Sequence, residues 1–260
     1  MEGRLKLMLA IERKRKIVSL LEERNSVLVP ELSKIFNVTE ETVRRDLEKL
    51  EADGFLKRTY GGAVINDSIN AELPLKIREV TNIEGKRAIG IKVAEYIKDG
   101  DTIMLDSSTT ALQVAERIKD KRKITVITNS VKVVSELSNA KDCKVISTGG
   151  TLRENSMSFV GHLTEDSIRN FNVDIAIICC KGLDTQKGIT ESNDMEAEVK
   201  KAMLLAADKT FLVADYTKFN KISFIKMLKI ENVDMIFTDK KLTEEWEQFI
   251  ASKNVELVYC

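Results

Sequence analysis

Val29-Pro30-Glu31-Leu32-Ser33-Lys34-Ile35-Phe36-Asn37-Val38-Thr39-Glu40-Glu41-Thr42-Val43-Arg44-Arg45-Asp46-Leu47-Glu48-Lys49-Leu50-Glu51-Ala52-Asp53-Gly54 is the stretch that decides the N-terminal fold. Pro30 suits the first position of a helix, where its missing N–H would have no partner anyway. Leu32, Ile35 and Phe36 share one face of that short helix. Asn37-Val38 makes a turn, and Thr39 is a good N-cap for the helix that follows. Val38 before the cap and Val43 after it form a hydrophobic staple that fixes the entry angle. Val43, Leu47 and Leu50 recur at helical spacing and turn inward, and the helix stops near Asp53-Gly54.

Upstream, a first helix is expected from about Ile11 to Arg24, with Ile17, Leu20 and Leu21 on one face, followed by a turn-like break at residues 25–28. Downstream, Phe55 to Val64 reads as strands around Tyr60-Gly61-Gly62. Two helices and a tight turn, then a glycine hairpin, describe a winged helix-turn-helix over residues 1–64. A linker is expected over 65–83, before a second domain at 84–260.

A helical wheel with Val43, Leu47 and Leu50 inward puts Glu41, Arg45 and Glu48 opposite the core, with Thr42 and Arg44 on the flanks. Thr39, Thr42, Arg44 and Arg45 therefore gather near the helix N-terminus, the end that enters a major groove. Arginine forks onto guanine or phosphate, and threonine meets a phosphate or a thymine methyl. In the wing, Lys57, Arg58 and Tyr60 flank Gly61 and Gly62, a pair read as permitting close approach to a DNA backbone. A plainer reading makes this an exposed helix whose arginines pair with Glu48 or Asp46, since charge runs usually solvate a surface. The ordered succession of helix, turn, capped helix and basic hairpin favours DNA.

The rhythm changes from about residue 84. Strands are expected at 101–106, 124–128, 143–148, 174–180, 210–214, 234–238 and 255–259, and helices at 109–119, 131–138, 194–206 and 243–251. This alternation predicts an α/β domain, a mainly parallel sheet covered by helices on both faces. Polar and glycine clusters recur after its strands: Asp106-Ser107-Ser108-Thr109-Thr110, Asn129, Gly149-Gly150, Lys181-Gly182, and Asp215 to Lys218. Open α/β sheets bind ligands outside the carboxyl ends of their strands, so these clusters converge on one pocket.

The chemistry there points to an anion. Hydroxyls and the first amides of a helix form a phosphate cradle. Gly149 and Gly150 let backbone amides approach, and Arg153, Lys181 and Lys218 supply charge. Asp106 and Glu191 suit sugar hydroxyls. Taken singly, each has a plainer reading: a serine after a strand is often only an N-cap, and Gly-Gly only a turn. Cys179 and Cys180 read as buried strand residues.

Composition removes several alternatives. Hydrophobic residues make up 43% of the 260 residues and charged residues 32%, an ordinary globular balance. No apolar run is long enough for a membrane helix, and the N-terminus carries no signal-peptide pattern. Four cysteines without paired spacing fit reduced thiols in a cytoplasm. The single histidine, His162, cannot build a multi-histidine zinc site, and no G-x-S-x-G elbow accompanies it. Neither metal nor cofactor is expected. Basic and acidic residues balance at 41 each, and residues 1–64 hold 13 basic against 11 acidic, so a DNA reading rests on local geometry.

The stretch from Val29 to Ala63 resembles the DNA-binding domain of DeoR-family bacterial transcriptional regulators, most specifically in Thr42-Val43-Arg44-Arg45-Asp46-Leu47 and Gly61-Gly62-Ala63. Tyr60 stands where members often carry His. The likeness continues through Asp106-Ser-Ser-Thr-Thr, Thr148-Gly-Gly, Lys181-Gly182-Leu183, Gly188-Ile-Thr190-Glu191 and Asp215-Tyr-Thr-Lys218, with Ser108 where the family often has Gly. It implies a second domain of the sugar-phosphate isomerase and CoA-transferase superfold that senses a phosphorylated sugar. The expectation is a cytoplasmic, non-enzymatic repressor that binds operator DNA as a homodimer or higher oligomer. The alternative is a sugar-phosphate isomerase with an appended helix-turn-helix, using Lys218, Asp215 and Glu191 as acid–base groups.

Overall fold

A computed structural model describes residues 9–24, 26–52, 54, 56–65 and 75–260. They form two compact units, one ending at Thr81 and the other beginning at Asn82.

The first unit contains α1 (Ala10–Arg24), β1 (Ser26–Leu28), α2 (Val29–Phe36), α3 (Glu40–Ala52), β2 (Leu56–Thr59), β3 (Gly62–Ile65) and α4 (Leu75–Arg78). Ile17 and Leu21 of α1, Leu32 and Phe36 of α2, and Val43, Leu47 and Leu50 of α3 bury one shared core. Asn37 ends α2 in the left-handed region at φ 51°, and Ser33 Oγ donates to Val38 O across the turn. Thr39 caps α3, accepting the Thr42 N–H at 3.3 Å. Gly54 follows α3 at φ +80°, while Asp53 and Phe55, read from sequence as its stop and the start of the wing, lie outside the described residues.

Residues 25–28 are not simply a break. Ser26–Leu28 pairs antiparallel with β3, giving a three-stranded sheet in the order β1-β3-β2. Three residues are too short for an alternation signal, but only Val27 points inward. Within the stretch expected to be a linker, Leu75–Arg78 forms a helical turn whose Ile77 packs on this core, and residues 66–74 lie outside the described ones.

The second unit begins with α5 (Ile83–Tyr96), β4 (Thr102–Leu105), α6 (Thr109–Arg117), β5 (Ile124–Thr128), α7 (Val131–Leu137) and β6 (Cys143–Ser147). There follow β7 (Thr151–Arg153), β8 (Ser158–Val160), α8 (His162–Arg169), β9 (Val173–Ile178), β10 (Gly182–Asp184), β11 (Gly188–Glu191), α9 (Asp194–Leu205) and β12 (Ala207–Val213). The chain closes with β13 (Ile225–Leu228), β14 (Met235–Thr238), α10 (Glu244–Ser252) and β15 (Glu256–Tyr259). The seven-stranded sheet runs β15-β14-β12-β9-β4-β5-β6, every neighbouring pair parallel.

Strand periodicity divides the core. Ile103, Leu105, Val126, Ile175 and Ile177 pack against α5, α6 and α7, whereas Met104, Ile127, Ala176 and Ile178 pack against α8, α9 and α10. Strand order reverses between β4 and β9: β5 and β6 continue on one side, β12, β14 and β15 on the other. In open α/β sheets the ligand crevice lies at such a switch point, outside the strands' carboxyl ends. An antiparallel sheet, β10-β11-β13, and a β7-β8 hairpin complete this unit.

In the first unit, Arg13 Nε of α1 donates to Asp46 Oδ2 of α3 at 2.5 Å, both side chains buried. Truncating Asp46 takes a carboxylate away from a guanidinium that is shielded from water. Asp46→Ala should destabilise the first unit by about 3–5 kcal/mol, seen as an earlier denaturant midpoint. An unchanged midpoint would show that the pair carries no structural weight.

Candidate functional site

The first candidate face lies along α3 and the wing. Thr39, Arg44 and Arg45 are exposed and Thr42 half-buried, all in the helix's first turn and a half. Arg44 pairs with Glu40 at 2.7 Å and Arg45 with Glu41 at 3.2 Å, so neither pairs with Glu48 or Asp46. These exposed i,i+4 pairs are worth only ~0.3–0.5 kcal/mol, little against a charge-assisted bond to phosphate or guanine. In the wing, Lys57, Arg58 and Tyr60 are exposed, Tyr60 fully so at the hairpin tip. Arg58 is braced by Glu51, which accepts from its amide at 2.8 Å and its Nε at 2.7 Å. The Arg58 amide and guanidinium hold the Glu51 carboxyl below its usual range.

The two glycines have different uses. Gly61 turns the hairpin at φ +88° and faces open space. Gly62 is buried, and a Cβ there would lie 2.2 Å from the Val27 carbonyl oxygen. The close approach read from sequence as one to DNA is, at Gly62, an approach to the protein's own β1.

The second candidate lies in the crevice at the switch point. Asp106 follows β4 and is buried; its Oδ1 accepts from Ser108 N at 2.9 Å and its Oδ2 from Cys179 N at 2.8 Å, tying β4 to β9. Ser108 Oγ caps α6 by accepting from Ala111 N at 3.0 Å. The first intrahelical bond of α6 runs from Leu112 N to Ser108 O, so the amides of Thr109 and Thr110 stand ahead of it at the crevice. Ser107 is nearly buried beside them. Asn129 donates to Phe159 O at 2.9 Å, while its Oδ1 is buried with no partner. Gly149, at φ +64°, has open space where a side chain would stand, and its carbonyl accepts from Thr164 Oγ1.

Several residues assigned to the ligand also bond within the framework. Glu191, on β11, is buried and accepts from Ser192 N at 2.8 Å and from Lys200 Nζ. Lys200 also lies 3.6 Å from Asp106 Oδ2. Asp106 and Glu191 are both buried, with oxygens that already accept from protein amides and from Lys200. Gly182 is buried, and a Cβ there would lie 2.3 Å from the Lys221 carbonyl oxygen; one at Gly150 would lie 2.0 Å from Thr164 Oγ1. Arg153 reaches Glu196 Oε1 at 3.2 Å and Ser156 Oγ at 3.0 Å, with Ser158 on the same carboxylate. Lys181 and Lys218 are half-buried on the loops after β9 and β12.

Lys200 and Glu196 do not stand out in the sequence. The available signal is two charges four residues apart on a helix otherwise packing Ala197, Val199 and Met203 inward. Burial alone would lower the Lys200 pKa, but Glu191, Asp106 and Glu196 outweigh it and hold the ammonium charged. Burial likewise raises Glu191, yet the Lys200 charge and hydrogen bond, with the Ser192 amide, bring it below the usual range. At Asp215 burial is outweighed by Lys218 and Lys86 and by hydrogen bonds from Thr217, again giving a lowered carboxyl. Burial pushes the thiols of Cys179 and Cys180 up, which keeps them protonated and unreactive.

Two cavities lie apart from the crevice, and none of its residues named above lines either. One of about 510 Å³ sits at the strands' amino ends, around Asp101, Asp174 and Glu256. One of about 200 Å³ lies between the β10–β11 turn, β13 and α10.

Residues 13–69 match the family model described as a DeoR-like helix-turn-helix domain, and residues 81–240 that of the DeoR C terminal sensor domain. The chain is 43% identical to an uncharacterized HTH-type transcriptional regulator, YulB, of Bacillus subtilis, over 96% of each chain. It is 36% identical to the HTH-type transcriptional regulator GlpR of Haloferax volcanii, covering 96% of this chain and 98% of that one. The glycerol-3-phosphate regulon repressor of Escherichia coli K12 is 30% identical, over 94% and 96%. Among solved structures, ribose 5-phosphate isomerase A of Methanocaldococcus jannaschii aligns over 54% of this chain and 55% of that one at TM-score 0.40 and 13% identity, a likeness too slight to bear on function.

The charges around Lys200 set a pH signature. Glu191 and Asp215 have lowered folded-state pKa values, so the stability they contribute is present above the unfolded carboxylate range and lost as pH falls through the folded values. Lys200, raised, contributes stability below its unfolded value that is lost only as pH rises through the folded one. Lys200→Ala, which leaves two buried carboxylates uncompensated, should cost about 3–5 kcal/mol at neutral pH and recover part of it in acid. Equal destabilisation at pH 4 and pH 7 would contradict this electrostatic account.

Proposed function

Because this chain belongs to the DeoR family of HTH-type transcriptional regulators, we propose that it represses sugar-use genes and releases its operator when a phosphorylated sugar enters the crevice. The family membership supports the DNA half, together with Thr39, Thr42, Arg44 and Arg45 gathered at the start of a capped helix. The observation that carries the effector half is the start of α6 at the strand-order switch point. There Ser107 and the Thr109 and Thr110 amides stand where a helix dipole favours a dianion. A relative named for glycerol 3-phosphate supports a phosphate-bearing signal. In this reading Lys181 and Lys218 add charge, Gly149 gives backbone access, and the orphaned Asn129 oxygen accepts from a ligand hydroxyl.

The isomerase alternative fits less well. Glu191 is neutralised by Lys200 and Asp215 is held by Thr217 and nearby lysines, so neither is tuned as a base near neutral pH. The protein acts in the cytoplasm and as a homodimer or higher oligomer. One winged domain offers too few base contacts for the ~4–10 kcal/mol that separates specific from non-specific DNA. Residues 1–64 serve as the DNA-binding domain, 65–83 as the connection and 84–260 as the sensor.

Two experiments test the two halves. Arg44→Ala or Arg45→Ala should weaken operator binding by ~1–3 kcal/mol if the residue reads a base. If it meets phosphate, the loss should be similar across sequences and the salt slope should fall by roughly 1. Undiminished affinity in both variants removes α3 from the interface. Ser107→Asp, placing a negative charge in the cradle, should abolish release by a sugar phosphate while operator binding persists. A normal response in that variant, measured by DNA titration with phosphorylated and free sugars, places the effector elsewhere.

A further inference from the structure

We propose that the cavity between the β10–β11 turn, β13 and the end of α10 is a second anion site, taking a small compound with two or more phosphate or carboxylate groups. Lys187, Lys226, Lys229 and Lys253 converge on this cavity, with Glu231 as the carboxylate in its lining. The whole chain balances basic and acidic residues at 41 each, so a local surplus of three positive charges is a departure from its own background. Glu231 offsets little of it: it meets Lys229 at 3.8 Å, on a side chain largely in solvent. Lys187 and Lys226 have no ion-pair partner among the described residues. Asp184, beside the turn, spends its Oδ1 on the amides of Gln186 and Lys187. Gathering like charges raises their mutual repulsion, which a bound polyanion relieves.

The walls are built to stay open. Gly188 sits at φ +77° with the Leu228 carbonyl 2.6 Å from where a Cβ would stand, which locks the turn against β13. Phe249 forms the opposite wall, with Lys253 Nζ 5.4 Å above its ring. A volume of about 200 Å³ holds roughly six or seven waters, enough for a pyrophosphate-sized anion and small for the ~300 Å³ and more of an ordinary ligand pocket. This site draws on none of the residues assigned to the strand-end crevice.

Pyrophosphate is the probe, titrated calorimetrically into the full-length protein, Ser107→Asp, Lys187→Gln/Lys226→Gln and Lys187→Arg/Lys226→Arg. Ser107→Asp should retain a pyrophosphate-binding event, so failure of the effector reading leaves this result standing. The glutamine pair should weaken that event by about tenfold or more, and the arginine pair should keep it within about threefold, since charge supplies the affinity. Operator binding by the glutamine pair reports that its fold is intact. Three results overturn the proposal: undiminished binding in the glutamine pair, loss of all binding in Ser107→Asp, or loss in the arginine pair. A short non-operator duplex that displaces pyrophosphate from the wild-type protein but not from the glutamine pair would also overturn it, by assigning these lysines to nucleic acid.

Discussion

A charged ammonium held at the heart of the second unit organises everything around the crevice. Lys200 reaches from α9 to Glu191 on β11 and to Asp106 at the end of β4, and Asp106 in turn holds the Cys179 amide after β9. One helix, the switch-point strands and the antiparallel sheet thus meet at a single buried ionic cluster. Its desolvation cost is large, and apolar clusters of similar volume are often as stable. What ions supply that apolar side chains do not is direction: the two carboxylates fix where the ammonium stands, and Asp106 fixes where α6 begins. The start of α6 therefore rests on a charged cluster.

The same economy appears in the first unit. Arg13 and Asp46 join α1 to α3 across an otherwise apolar core, while the arginines of α3's outer face make only exposed, weak pairs. Within one helix, charge is used structurally at Asp46 and left exchangeable at Arg44 and Arg45. Burial decides which.

Much of this is legible in the sequence, and the exceptions have causes. Thr39, Val43, Leu47 and Leu50 announce α3 because cap and period agree there. The sheet strands can be read to within a few residues because each is a short apolar run followed by polar residues. α5 escapes recognition: Gly85 and Gly90 interrupt its pattern, and Gly90 is required, since a Cβ there would lie 2.7 Å from the Gln113 carbonyl oxygen, while one at Gly85 would meet the Asp239 side chain. Close packing of α5 on α6 and β14 costs it the residues that make a helix conspicuous. The strands β10, β11 and β13 are only three or four residues long, and β11 pairs with β13 across an intervening helix and strand. Asp106 and Glu191 are recognisable as strand-end residues, but which way a carboxylate faces depends on Lys200, far along the chain from Asp106.

The burial of Gly62 has a consequence for how the DNA-binding unit works. β3 lies so close on β1 that no side chain fits between them, and the Gly61 carbonyl accepts from Val29 N at the start of α2. The wing is therefore bolted to the first helix of the helix-turn-helix, which shares its core with α3. Hairpin and α3 form a one-piece caliper whose jaws have a fixed gap. Bending it would break packed contacts worth kilocalories, since a close-packed interior yields little to strain. The distance between the hairpin tip and α3 is then set by folding itself.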